Sequence, residues 1–282
     1  MDTKYGASGL VGHRGGSPGV VGSSAKARGT QMTGSVDQEI EINLRSAGEV
    51  GARLVVLATL CRRLFLEDPA AKDVLGEEPE AERWDLAAWL NEHGLSAHLT
   101  PKEREMLDRP AGSLSEEDLA SETWLGEALV VLAWSASLLD ALPPPVEPSE
   151  PGPVLARIPA PWDDVRPFLK SITLRSEQEI AMERERAEIW AWRAGIEVER
   201  RAAKGRAARE LQETIAEVVR EAAASGLLPS SRLADFPVDG LPFSALPEER
   251  REQVAVIATA RLHALNWLCG FGDRWDNVPL DI

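Results

Sequence analysis

The chain has 282 residues, 44% of them hydrophobic, and a formal net charge of −15 at pH 7. That length and apolar content suffice for one large or two small domains with a real core. The acidity argues against a nucleic-acid or anionic-membrane surface, because phosphates would be repelled over most of the molecule; it fits plain solubility first, and also a basic protein partner.

Residues 1–35 carry nine of the 22 glycines, scattered serines and no apolar periodicity. They read as a disordered tail ending near residue 40, with Met32 an alternative start. The tail could also address the domain to a larger assembly. Helical patterning then begins. Val50, Leu54, Leu57, Cys61 and Leu64 recur at steps of four and three, and Val55, Val56 and Leu60 widen the stripe until the helix should be buried on most sides. The segment 79–94 ends at Gly94, a left-handed cap. Thr100, Pro101 and Glu103 supply an N-cap, a first-turn proline and a capping box. A short acidic helix and an apolar one follow to residue 142, and the Pro-rich run 143–153 stops them.

The second half repeats this grammar: a long helix over 176–202, another ending at Gly226, a Pro-rich connection over 229–247, and a last helix over 247–272. Runs of β-branched residues bounded by turns are almost absent, so the expected class is all-α, one domain over 41–282. The longest apolar stretch, 128–139, is too short to span a bilayer, and no signal-peptide core is visible. Cys61 and Cys269 have no metal-ligand spacing, which fits a reduced, cytoplasmic setting.

Leu-Arg-Ser-x-x-Glu occurs at 44–49 and again at 174–179. Ser46 with Glu49, and Ser176 with Glu179, have capping-box spacing, worth about 1 kcal/mol on the N-cap side. Gly94-Leu95 corresponds to Gly226-Leu227, and the segment 132–142 to 265–275, matching Trp134 with Trp267 and Asp140 with Asp273. The near-constant offset suggests two diverged, pseudo-twofold-related halves, about 41–150 and 160–282. Capping leaves Arg45 and Arg175 unexplained; Asp140 and Asp273 are candidate ion-pair partners.

Catalytic signatures are scarce, with no Walker, nucleophile-elbow, HExxH or GxGxxG pattern. His93 and His98 are five apart, wrong for one helix face. Glu179 and Glu183 share a face but lack the Glu-x-x-His pairs of carboxylate-bridged metal bundles, so the run reads as a solvated, salt-bridged face with Arg184–Glu188. No catalytic residue, metal site or cofactor is assigned. The candidate polar residues are Arg45, Arg175, Glu127 and His263. Trp190 and Trp192, two apart on a helix, cannot both enter one narrow seam, so either one lines a groove or an interface or the helix has a broad core face.

"LRSAGEVGAR", "ETWLGEALVVLAW", "LRSEQEI" and "RLHALNWL" followed by "WDNVPLD" resemble, in this order, bacterial domain-of-unknown-function family 4272 over about residues 41–282. The resemblance implies an all-α fold and a soluble bacterial protein, and it implies no activity. The family's Tyr-Arg and His-Trp pattern on the second Arg-Ser helix survives here only around Trp192. The leading functional reading is a non-catalytic protein-binding module, for example an acidic, immunity-type partner of a basic protein. The alternative is an enzyme or small-ligand binder with a pocket between the halves.

Overall fold

Ser46 and Ser176 each open a helix of 19 residues, α1 (Ala47–Phe65) and a later one, Glu177–Gly195. Both capping boxes are closed: each Ser Oγ accepts from the Glu amide at 3.3 Å, and each Glu carboxylate accepts from the Ser amide at 3.1 Å. The computed structural model describes residues 42–68 and 78–280, which belong to one compact unit, Glu41–Ile282. The expected N-terminal tail and Met32 lie outside the described residues.

Between those two helices lie α2 (Pro79–Glu92), α3 (Pro101–Asp108), α4 (Glu116–Ala120), α5 (Glu122–Ser135), α6 (Gly152–Leu155) and α7 (Val165–Ser171). Numbered in order, the second 19-residue helix is α8, followed by α9 (Glu197–Ala202), α10 (Gly205–Ala224) and α11 (Glu248–Leu268). The architecture is predominantly helical. No described helix is long and apolar enough to cross a membrane.

Helices α5 and α11 pack against each other, with α1 against α5 and α8 against α11. Their sequences fit those places. Every residue of α1 from Val50 to Leu60 is buried, as the widened stripe predicts. On α8 burial is partial, covering Ile180, Glu183, Arg184, Ala187, Trp190, Ala191 and, near its end, Arg193. Each large aliphatic side chain so buried is worth about 1.5–3 kcal/mol.

Besides α5 ending at Ser135 rather than near 142, and the unexpected short helices α6 and α7, three details differ from the sequence reading. The long helix over 176–202 breaks after Gly195, where buried Glu197 turns back to bind Arg193 at 3.0 Å and Arg200 at 2.8 Å. Pro237–Val238 and Leu241–Pro242 form a two-strand antiparallel pair. Its loop, Asp239-Gly240, has φ of 52° and 80°, the backbone that an Asp-Gly hairpin turn requires. The supposed solvated face of α8 is half wrong. Glu183 and Arg184 are buried, and the Arg184 guanidinium lies over Phe271 and donates to Asn266 Oδ1 at 2.7 Å, besides its pair with Glu188.

Candidate functional site

Arg45 and Arg175 do the same thing at the ends of two different core helices. Arg45 donates through Nε to the carbonyl of Trp267 at 2.8 Å, and through Nη2 to those of Gly272 at 2.6 Å and Asp273 at 3.1 Å. Arg175 donates through Nε to Trp134 at 2.8 Å, and through Nη2 to Leu139 at 2.6 Å and Asp140 at 3.0 Å. The backbone N–H groups follow suit, to Leu268 at 2.9 Å and Ser135 at 2.8 Å. Each guanidinium also covers the tryptophan whose carbonyl it caps, at 4.6 and 4.8 Å. The remaining Nη1 pairs with the capping-box glutamate, Glu49 or Glu179.

A helix C-terminus presents unpaired carbonyls and a partial negative charge, and a forked guanidinium satisfies both. Thus Arg45, at the start of α1, caps α11, and Arg175, at the start of α8, caps α5. Asp140 and Asp273 are indeed at the contact, but with their main-chain oxygens. The expected carboxylate ion pair is replaced by backbone capping.

Glu127 on α5 is almost fully buried and pairs with Arg261 on α11 at 2.8 Å. Ser149 donates to the same carboxylate through its amide at 2.5 Å and its hydroxyl at 2.8 Å. Arg261 donates further to the carbonyls of Pro143 at 2.9 Å and Glu147 at 3.3 Å. The cluster fastens the Pro-rich connection to the helix pair, and its hydrogen bonds offset the cost of burying two charges.

His263 lies in an aromatic cluster, edge-on to Trp124 at 5.2 Å and to Trp275 at 4.6 Å. Trp275 touches Trp267 at 5.4 Å and carries the Arg53 guanidinium at 4.0 Å on its ring. Arg53 is in turn bound by buried Glu103. Burial pushes the imidazole down to about 4; the backbone of Trp275 and the Glu103 carboxylate oppose the shift, and Arg53 adds to it. His263 Nδ1 and Arg53 Nε have no hydrogen-bond partner among the described residues.

Of the four candidate polar residues, Arg45 and His263 therefore border one aromatic cluster, while Glu127 and Arg175 hydrogen-bond in two other places. Trp190 is a core residue at 1% exposure, which corrects its candidacy for an interface. Both it and half-buried Trp192 meet Phe236, at 5.0 and 6.3 Å, so the segment before the hairpin fills the space between them. Cys61 and Cys269 are unpaired, and burial raises their thiols to about 12 and 11. Among the described residues no group of three or more His, Cys, Asp or Glu is placed to hold a metal ion.

Sequence reasoning missed Arg53, Arg63, Arg193 and Arg261, all buried. The available signal was a lone arginine inside an apolar helical run, as in "GARLVVL" and "ATARLHALNW". It also missed what stands outside. Trp84 and Trp162 are 62% and 60% exposed. Surface depressions of about 450 and 710 Å³ lie beside α3 and α4, edged by Lys102, Glu105, Asp108, Arg109 and Glu117.

A family model described as a domain of unknown function (DUF4272) matches residues 30–223. The match stops before α11 and the tail, where the resemblance drew on Ala264-Leu265-Asn266-Trp267. No curated protein and no solved structure matches the chain.

Proposed function

We propose that this chain, which belongs to the DUF4272 family, is a non-catalytic protein-binding module for a basic partner, working in the cytoplasm. The observation that carries this reading is where the polar side chains point. Arg45, Arg175, Glu127 and Arg261 bind the chain's own backbone and one another. The surface keeps the acidity, for example Glu105, Asp108, Glu116, Glu117 and Glu122, all exposed on α3 to α5. Such a surface speeds encounter with a positively charged protein and repels nucleic acid. The alternative of a ligand site has its support in unpaired His263 Nδ1 and Arg53 Nε, but the depressions named above lie elsewhere.

We also infer that the compact unit consists of two diverged halves related by a pseudo-twofold axis. The arginine donors are 130 positions apart and all their carbonyl acceptors 133 apart, atom for atom. Buried Arg63 with Glu67 and buried Arg193 with Glu197 repeat the offset of 130 at the other end of α1 and α8. Gly94 and Gly226 repeat a left-handed cap at φ of 72° and 75°.

The partner reading is tested by immobilising the full chain and capturing from an extract of the organism that encodes it. The expected result is one stoichiometric protein of positive net charge, released by raising the salt. An acidic stoichiometric partner, or retention indifferent to salt, contradicts the reading.

A further inference from the structure

Trp162 combines three properties that the fold does not need together. Its φ is 77°, a left-handed conformation that is a clear outlier for so bulky a residue. Its side chain is 60% exposed. The loop that holds it is nonetheless fixed on both sides. Arg62 on α1 donates to the carbonyls of Leu155 at 3.1 Å, Ile158 at 3.1 Å and Pro159 at 2.8 Å. The indole of fully buried Trp89 donates to the carbonyl of Asp163 at 2.9 Å. Within the loop, Asp163 N donates to Ala160 O at 3.0 Å, and Asp163 Oδ2 accepts from Ala160 N at 3.0 Å. Strained backbone persists only where its surroundings over-determine it, and that is the case at this loop.

The chain's other tryptophans indicate what belongs on this ring. Arginine guanidinium groups lie over Trp267, Trp275, Trp134 and Trp84, at 4.0 to 4.8 Å. Of the two tryptophans more than half exposed, Trp84 is thus already covered by Arg83, whereas Trp162 has no aromatic or cationic partner among the described residues. Beside it, Asp163 is exposed and uses only Oδ2 within the loop. The next carboxylate, Asp164, is taken by Arg166 at 2.8 Å and held down to about 2.

We propose that the Trp162 loop is a pre-formed anchor for an arginine side chain on a basic segment of the partner protein, the guanidinium stacking on the indole and donating to Asp163 Oδ1. This rests on the protein-binding reading above and names the contact it uses. A rigid aromatic spends little entropy on ordering, and an arginine meets both a ring face and a carboxylate where lysine meets neither as well. The left-handed backbone is then a stability cost retained for display.

The test is fluorescence anisotropy with labelled nona-arginine and nona-lysine peptides against the full chain, its Trp162→Gly variant and a Trp84→Ala control, alongside thermal melts and sedimentation. Wild type should bind the arginine peptide several-fold more tightly than the lysine peptide. Trp162→Gly should lose about tenfold in arginine-peptide affinity while its melting temperature rises by about 2–4 °C, since glycine takes the left-handed backbone freely; Trp84→Ala should bind within about twofold of wild type. If wild type binds and Trp162→Gly binds equally well, the anchor is elsewhere, although the basic-partner reading stands. If wild type binds neither peptide at low salt, both readings fall. If wild type sediments as a dimer that Trp162→Gly dissociates, the loop is a self-contact and the inference is overturned.

Discussion

Arg45 and Arg175 were the residues that helix capping left unexplained, and their role is now physical. Each satisfies three carbonyls at or just beyond the end of a core helix and stacks on the tryptophan of that end. Replacing either by alanine should cost about 2–3 kcal/mol in urea unfolding, the two losses agreeing within about 1 kcal/mol. Lysine should restore less than half, having no fork. A large loss at one position and none at the other would show that the two contacts are not equivalent. His263 gives a pH signature. Its pKa falls from an ordinary 6.5 to about 4 in the folded chain, so between those values the unfolded state binds more protons. Its contribution is therefore full above about pH 6.5 and disappears as pH falls toward 4, about 3 kcal/mol at most. His263→Phe keeps a ring between Trp124 and Trp275 and should flatten that part of the stability–pH curve; an unchanged slope would place the titration on other groups.

At the scale of elements, most of the helical plan was legible because it rests on local signals. The capping boxes at Ser46, Thr100 and Ser176 and the left-handed glycines at 94 and 226 are where their spacing puts them. The hairpin at 237–242 was also written locally, in Val-Asp-Gly-Leu, but its strands are two residues long and carry no alternation to notice. The α8 face was misjudged because periodicity counts Glu183 and Arg184 as polar, while only the neighbouring helix and tail show that they are covered. Matching helix ends offer a sharper comparison. Ser137 and Gly270 both follow their helix at positive φ, 57° and 84°, and the residue after each donates five positions back, Leu138 to Ala133 and Phe271 to Asn266. A Cβ at Gly270 would lie 2.7 Å from the Asn43 carbonyl. Gly270→Ala should thus destabilise by about 2 kcal/mol or more, and Ser137→Gly should stabilise by about 0.5–1 kcal/mol. Chemical denaturation of the two variants checks both signs.

For the whole molecule, the candidate site was harder to read than the fold. The repeated motif left Arg45 and Arg175 needing a reason, and Glu127 and His263 stood beside them as candidate polar residues, but the reasons are tertiary: a helix end 222 residues away for Arg45, a buried arginine 134 away for Glu127. Trp162 could not be singled out, because its exposure and left-handed backbone arise from how α1 and α2 pin a Pro-rich loop. The central claim is that the interior builds the fold and the surface does the binding. Hydrogen–deuterium exchange of the full chain with and without saturating nona-arginine peptide tests it most directly. Exchange should slow over residues 155–166 and stay unchanged over 261–275. Protection around His263 and Trp275, with the Trp162 loop unaffected, would contradict the account and place the site inside.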